Sequence, residues 1–456
     1  MDALLKRVRN LTRDELALIA VPLSVTFVFL RLKKLARQRR TTPLPGPPST
    51  SLIFGVTKDI LEAEDSGIVY EEWEKQYGAV YAIPAALGAR EIVLCDLKAI
   101  AHYYAGDTFV YQQPLGQRFF IGHFLFTPTS LDTIGAGGFS HDFGSLKGRI
   151  SPVAAAFDSF SDIKSSPIII LSFLLRSVFP FLARIPSERT AGFAKLRESV
   201  KVIADDLLER ARLEKEANVS GGAADKSIIG SLARSETASA RVHLSLDEIV
   251  AQWALIELCK HPEKQTKLRE ELSQFIDTDP TYEQLTNSLP YLDAVTSESL
   301  RLHPPVSETH RQAHADDVLP LTQPVGGMDS VFVARGTTVR VPISYINRAE
   351  ALWGPDAKAF RPERWLDGSL EGMRAAEVQG VRHLLTFVDG PRTCLGRAFA
   401  LTEFKAVLSV LIRNFTFDLP GGPETPIGSH RSILLRPKVV GEEGPKVPLL
   451  IRRRAE

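Results

Sequence analysis

The sequence is short of several residue types that define whole classes of protein. Its three cysteines, Cys95, Cys259 and Cys394, are far apart in a chain of 456 residues. They fit neither a disulfide framework nor a zinc-ligand cluster, so a reducing compartment is expected for the main domain. The formal net charge is only +1, which argues against a nucleic-acid binder driven by bulk charge. The length allows one large hydrophobic core or two smaller ones.

Long uncharged runs are also scarce, and an informative one lies near the N-terminus. Residues 16–30 (LALIAVPLSVTFVFL) carry no charge, but as a helix they would span about 22 Å, less than the ~30 Å hydrocarbon core of a bilayer. A basic cluster follows at once: Arg31, Lys33, Lys34, Arg37, Arg39 and Arg40. This order predicts an uncleaved signal anchor within residues 1–40, with its C-terminal flank in the cytosol. A helix lying in the membrane interface and a buried helix are the alternatives.

A proline-rich stretch comes next, and it divides the anchor from the rest of the chain. Residues 43–48 read PLPGPP, and prolines at this density form a stiff, extended segment. The sequence therefore predicts a hinge over residues 41–50 and a main domain over residues 51–456.

The most specific motif surrounds Cys394. Residues 387–397 read FVDGPRTCLGR, and an apolar face with helical spacing follows: Leu401, Phe404, Val407, Leu408, Leu411 and Ile412. Cys394 thus lies just before a predicted helix, whose free N–H groups and dipole favour a thiolate, and Arg392 adds positive charge. Such a thiolate is a nucleophile or an iron ligand, whereas a cysteine without this context is usually a buried structural residue.

The spacing of this loop resembles the haem-binding loop of the cytochrome P450 family. Phe387, Gly390, Arg392, Cys394 and Gly396 fit the pattern F-x-x-G-x-R-x-C-x-G. The resemblance implies that the cofactor is haem and that Cys394 is the axial thiolate on its iron. It also implies that Arg392 pairs with a haem propionate and that Phe387 packs near the sulfur. Gly396 lets the backbone approach the flat cofactor.

Two further motifs occur upstream in the order that this family has. Glu298 and Arg301 share one face of a helix predicted over residues 291–303, and their spacing resembles the family's E-x-x-R motif. Residues 362–365 read PERW and supply Arg364 as a third member. By themselves these residues predict a weak surface ion pair. The resemblance implies instead a buried triad that holds the haem loop.

A second propionate ligand is expected shortly after the E-x-x-R helix. Arg311 stands at about the place where the family has one, and His310 is the neighbouring alternative.

The pattern of apolar residues predicts alternating helices and strands on either side of these motifs. Residues 331–341 (VFVARGTTVRV) are expected to form a hairpin with its turn at Arg335 and Gly336. Earlier in the chain, the expected elements are a helix over residues 68–77, strands over 80–84 and 91–95, and a helix over 97–105.

The chain departs from the family pattern near residues 127–130. Family members have here a helix with a Trp or His and an Arg that bind haem propionates, followed by more helices. In this sequence, residues 119–127 run almost directly into residues 130–143, which resemble a region well downstream. A block of helices is therefore predicted to be missing.

The second departure lies between Gln252 and Trp253. Residues up to Gln252 resemble the start of the family's long central helix, and those from Trp253 resemble its end. The Ala/Gly-Gly-x-Asp/Glu-Thr segment between them is missing, and in the family its acid and Thr guide protons to bound oxygen. No catalytic residue is therefore assigned. Glu236 and Thr237 could substitute for the acid and Thr of this segment, but the expected small residues do not precede them. They are therefore expected to lie in a solvated loop.

The resemblance covers most of residues 16–451 and implies a microsomal-type, fungal-like haem-thiolate protein. The expected fold is mainly α with small β-sheets: an incomplete cytochrome P450 fold with an N-terminal membrane-anchor helix. The implied activity is monooxygenation of a hydrophobic organic substrate with O₂ and electrons from an NADPH-cytochrome reductase. The implied location is the endoplasmic reticulum membrane, with the catalytic domain facing the cytosol. A haem protein with impaired turnover and a peroxide-driven or isomerase haem-thiolate enzyme are the alternatives.

Overall fold

The computed structural model describes residues 36–113 and 247–453, except for residues 52, 276–277, 432–434, 443 and 445, and it also describes residues 29, 32 and 33. Among the described residues, no helix is both long enough and apolar enough to cross a membrane. Three predicted features lie outside the described residues: the anchor run apart from Phe29, the first departure near residues 127–130, and the pair Glu236 and Thr237.

Helices and strands alternate along the described chain. The α-helices are α1 (Thr57–Glu62), α2 (Ser66–Tyr77), α3 (Leu97–Ala105), α4 (Asp247–Lys260), α5 (Pro262–Leu272), α6 (Tyr282–Asn287), α7 (Pro290–Leu302), α8 (Ile343–Ile346), α9 (Glu350–Trp353) and α10 (Arg397–Asn414). The strands are β1 (Val80–Pro84), β2 (Arg90–Leu94), β3 (Tyr111–Gln112), β4 (Thr309–Ala313), β5 (Asp317–Val325), β6 (Met328–Val333), β7 (Thr338–Val341), β8 (Phe415–Asp418), β9 (Ile427–Arg431), β10 (Leu435–Val439) and β11 (Leu450–Arg453).

A five-stranded sheet with the order β1-β2-β7-β4-β3 joins the two described parts of the chain. Neighbouring strands are antiparallel except for β2 and β7, which run parallel. Val80 to Ile83 are all buried in β1, as expected for a strand that is covered on both faces. Strand β4 in this sheet carries Arg311, so the sheet fixes the position of one predicted site residue. The helical bulk and small sheets agree with the expected fold class.

The helices predicted on either side of these strands are confirmed. Helix α2 ends at Gly78, whose φ of 88° lies in the left-handed region that favours glycine. Helix α3 begins after Asp96, whose carboxylate accepts a hydrogen bond from the Ala99 N–H at 3.0 Å. Helix α10 buries Phe404, Leu408 and other residues of its apolar face, as their spacing predicts.

The hairpin predicted over residues 331–341 is wrong. Its two halves are β6 and β7, but β6 pairs with β5, whereas β7 lies between β2 and β4 in the five-stranded sheet. A turn does occur at Arg335 and Gly336, and the Gly336 N–H bonds to the Ala313 carbonyl at 2.7 Å. That contact directs the chain out of the β5–β6 sheet and into the five-stranded sheet, where β7 lies. Alternating apolar residues around a turn predict two strands, but they do not determine which strands pair.

The proline-rich segment over residues 41–50 is extended and lies against two of the sheets. The Thr42 N–H donates to the Phe332 carbonyl at 3.0 Å, and the Pro45 carbonyl accepts from the Ala82 N–H at 2.8 Å. These contacts make the segment part of the domain's packing. Its role as a hinge to the membrane stays a prediction.

Candidate haem-thiolate site

Cys394 lies in a short loop between a 3₁₀ turn, Gly390–Arg392, and the start of α10 at Arg397. The Cys394 N–H donates to the Phe387 carbonyl at 2.9 Å, and the Arg397 N–H reaches back to the Cys394 carbonyl at 3.4 Å. The side chain of Phe387 is buried, while Cys394 is half-buried. The backbone on both sides of the cysteine is therefore fixed, while its side chain stays near the surface of the described chain.

The two glycines of the motif have different surroundings. Gly390 has a φ of 72°, and a Cβ built there would lie 2.4 Å from the carbonyl oxygen of Tyr104. Any larger residue would therefore push the loop away from the end of α3. Gly396 has no atom of the described residues within 4 Å of such a Cβ, and the neighbouring side chains Leu395 and Phe399 are exposed. Within the described chain, the face of the loop beside Gly396 is open and apolar, which suits a flat, largely apolar cofactor such as haem.

The predicted triad is assembled around one carboxylate. Glu298 accepts two hydrogen bonds from Arg301, at 2.8 and 2.9 Å, and one from Arg364 at 2.9 Å. All three side chains are completely buried. Glu298 also accepts from the Trp365 indole N–H and the Arg361 backbone N–H, both at 2.9 Å. A buried carboxylate with five donors is fully satisfied, as a stable buried ion pair requires.

A chain of hydrogen bonds links this triad to the cysteine loop. Arg301 donates to the Asn347 carbonyl at 3.0 Å. The Asn347 side chain donates to the Thr386 hydroxyl at 2.9 Å and accepts from the Leu385 N–H at 3.1 Å. Thr386 immediately precedes Phe387. The triad therefore contacts the start of the loop through a single buried asparagine.

Arg311 and Arg392, the two predicted propionate ligands, meet at Asp107. Arg311 Nε lies 2.7 Å from the Asp107 carboxylate, and Arg392 Nε donates to the Asp107 carbonyl at 3.2 Å. Burial raises the pKa of Asp107, although Arg311 and Arg392 act in the opposite direction.

The alternative ligand His310 lies in the alternate position of β4, opposite Arg340 of β7, and within the described chain its Nδ1 has no hydrogen-bond partner. Burial lowers the pKa of His310 to about 4. Successive residues of a strand point to opposite faces, so the arrangement places Arg311, and not His310, beside the cysteine loop.

Sequence reasoning missed Asp107 and did not assign a role to Asn347. Asp107 opens residues 107–114, which resemble the family, but the sequence gives it no role, because its importance depends on contacts with residues more than two hundred positions away.

Helix α4 runs unbroken from Asp247 to Lys260, through the position where the second departure is predicted. Trp253 stacks on His303 with the ring centres 4.0 Å apart, and His303 bonds to Glu257 at 2.7 Å. The joint between Gln252 and Trp253 is therefore regular helix, held by contacts with the C-terminal end of α7. Glu257 is the acid among these residues, but it bonds to His303 and has no threonine beside it. The described part of α4 therefore offers no proton relay of the kind expected in the family.

Comparisons with known proteins give the same family as the motifs. The family model described as "Cytochrome P450" matches residues 117–440. The chain is 43% identical to cytochrome P450 monooxygenase claW of Ampulloclitocybe clavipes, covering 94% of this chain and 96% of that protein. It is 47% identical to claO of the same fungus, over 92% and 95%. Cytochrome P450 monooxygenase 205 of Postia placenta is 30% identical, over 91% and 94%.

The lengths of these alignments bear on the two predicted departures. The alignment with claW spans 517 positions, whereas this chain has 456 residues. That relative must therefore contain internal residues that this chain lacks. The alignment lengths do not place the missing residues, so their assignment to residues 127–130 and 252–253 stays a prediction.

Proposed function

Because the chain belongs to the cytochrome P450 family, whose cofactor is haem bound through an iron–thiolate bond, we propose that it inserts one oxygen atom from O₂ into a hydrophobic organic substrate. The observation that carries the proposal is the position of Cys394: two backbone hydrogen bonds fix its loop, and within the described chain an open, apolar face lies next to it at Gly396. The fungal relatives are named as monooxygenases, which supports the same reaction class.

Each described site residue has a role in this proposal. Cys394 would hold the haem iron through its thiolate, and the haem would supply the activation of oxygen when bound. Phe387 accepts the Cys394 N–H and fills the space behind the loop. Arg392 would hold a haem carboxylate with the terminal nitrogens of its guanidinium. Glu298 and its partners would keep the loop in place without contacting the cofactor.

Electrons would come from NADPH through a membrane-bound reductase, and the chain would be held at the endoplasmic reticulum membrane. The uncharged run over residues 16–30 and the basic residues after it support this part of the proposal. Two of those basic residues, Arg37 and Arg40, line a pocket of the described surface with Arg335 and Asp316, and Asp316 pairs with Arg40 at 3.0 Å. Three arginines against one carboxylate leave this surface positive, which suits a membrane with anionic headgroups.

The test is the carbon-monoxide difference spectrum of the reduced full-length chain. We expect a red-shifted Soret band in the wild type and its loss in Cys394→Ser. Cys259→Ser is the matched control, because Cys259 is buried in α4 and should leave the band unchanged. A band that survives in Cys394→Ser would refute the assignment of the ligand, and a wild type without the band would refute the proposed function for this chain.

A second candidate function is haem binding without productive turnover. The continuous α4 across Gln252 and Trp253 favours it, as does the greater length of the relatives. Without a proton relay, reduced oxygen should leave as superoxide or peroxide. The measurement is hydrogen peroxide released per NADPH consumed with a reductase: a ratio near one supports this candidate, and a ratio near zero with a consumed substrate contradicts it. Sequencing the transcript across residues 127–130 and 252–253 tests whether a longer chain is made.

A further inference from the structure

We propose that Asp107 is a positioning residue for the carboxylates of the haem. Its side chain fixes the guanidinium of Arg311 and its main-chain carbonyl fixes that of Arg392, so one residue aligns both. The inference rests on the proposed function, because it takes the cysteine loop as the place where haem binds.

The contact with Arg311 is a buried, two-point ion pair. Arg311 Nε lies 2.7 Å from Asp107 Oδ1, and its Nη2 lies 3.4 Å from Oδ2. The Asp107 side chain is completely buried. Arg311 Nη1 donates to the His310 carbonyl at 3.0 Å. Three of the five guanidinium N–H donors are thus engaged, which fixes the plane of the guanidinium and leaves one N–H on each terminal nitrogen.

The contact with Arg392 uses the backbone of the same residue. Arg392 Nε donates to the Asp107 carbonyl at 3.2 Å, while the side chain is exposed overall. In the part of the chain that the structure describes, no hydrogen bond or ion pair engages the two terminal nitrogens of Arg392. They are therefore available to an acidic ligand beside Cys394, two residues further on.

The terminal nitrogens of both arginines keep N–H donors that no described group accepts. Two carboxylates, those of Asp107 and Asp389, lie near Tyr104 with Arg311, so this cluster offers a ligand these donors and not a net charge. Such donors favour an anion, which would bind by charge-assisted hydrogen bonds. Any small anion would satisfy the donors alone. The position of Arg392 in the loop of Cys394 selects the carboxylates of a haem.

The turn that carries Asp107 is itself held against the loop. Tyr104, at the end of α3, shares a hydrogen bond of 2.9 Å with Thr309 of β4. Gly390 fits against the Tyr104 carbonyl, where no Cβ has room. The turn therefore contacts the cysteine loop at two places, Gly390 and Arg392, and a shift of Asp107 would move both arginines relative to the loop.

The experiment measures haem dissociation from the full-length chain, with haem and with haem dimethyl ester, which lacks free carboxylates. Asp107→Asn should release haem about tenfold faster than the wild type, the size expected for one weakened charge-assisted contact. With the dimethyl ester, the two proteins should differ by less than about twofold. Equal acceleration with both cofactors would show a merely structural role for Asp107 and overturn the proposal, as would no acceleration with either.

A second variant covers the case in which Asp107→Asn does not fold. Arg392→Lys keeps the charge but loses the Nε–H that binds the Asp107 carbonyl, and its exposed position should leave folding intact. We expect it to release haem faster than the wild type but more slowly than Arg392→Gln, which also loses the charge; release at the wild-type rate would overturn the proposal. If the wild type takes up neither cofactor with a thiolate spectrum, the proposed function itself is refuted. That outcome differs from a failure of the role of Asp107, in which the wild type binds haem normally.

Discussion

Replacing Glu298 with glutamine should be among the most damaging conservative changes in this protein. The carboxylate accepts five hydrogen bonds, two of them from Arg301 and one from Arg364. Glutamine has nearly the same shape, but it has no charge, and its amide nitrogen cannot accept the donors that now point at one of the oxygens. Both guanidiniums would stay buried, and Arg364 would keep only the half-exposed Asp356 as an anionic partner.

The expected cost follows from that burial. Removing one partner of a buried ion pair destabilises proteins by about 3–5 kcal/mol, because the other charge remains in a medium of low polarity. Whole domains are stable by only about 5–15 kcal/mol. Glu298→Gln should therefore remove a large part of the free energy of unfolding.

Urea unfolding followed by tryptophan fluorescence is the suitable assay, because Trp353 and Trp365 both contact the triad. Glu377→Gln is the matched control: its pair with Arg374, at 3.4 Å, is exposed and should be worth at most about 1 kcal/mol. If Glu298→Gln lost no more free energy of unfolding than Glu377→Gln, the idea that the buried triad stabilises the fold would be refuted.

Three further changes test other parts of the site. Burial lowers the pKa of His310 from 6.5 to about 4, so between these pH values the unfolded chain binds a proton that the folded chain does not. The free energy of unfolding should therefore fall by up to ~3 kcal/mol as pH drops through this window; the same dependence on pH in His310→Gln would contradict this. Gly390→Ala should lower the melting temperature with or without haem, because its methyl would lie 2.4 Å from the Tyr104 carbonyl oxygen. Gly396→Ala should weaken only haem uptake in a titration, because no atom of the described residues lies within 4 Å of its methyl. Asn347→Ala loses its side-chain contacts with the start of the cysteine loop and should cost ~1–3 kcal/mol in urea unfolding; a wild-type midpoint would rule out the link.

The features that could be predicted from the sequence are those in which nearby residues act together. Cys394 and its glycines lie within ten positions, and Glu298 and Arg301 share one face of one helix. Their spacing is enough to place them. Contacts between distant segments left no such pattern: the pairing of β6 with β5 depends on a turn that the alternation of residues does not distinguish from the next one. Asp107 is a single acid whose partners are known only when the sheet is assembled.

The described contacts support haem binding, but they do not include the proton relay that turnover requires. The cysteine loop is fixed from two sides, by Asn347 in front of Phe387 and by the Tyr104–Asp107 turn beside Gly390. All of these contacts lie within the described part of the chain, and α4 is regular helix at Gln252 and Trp253, where the second departure is predicted. The thiolate ligand should therefore be presented correctly even where the proton relay is missing. This chain is expected to bind haem through Cys394 more readily than it completes the reaction, and the spectral and peroxide measurements should give separate answers.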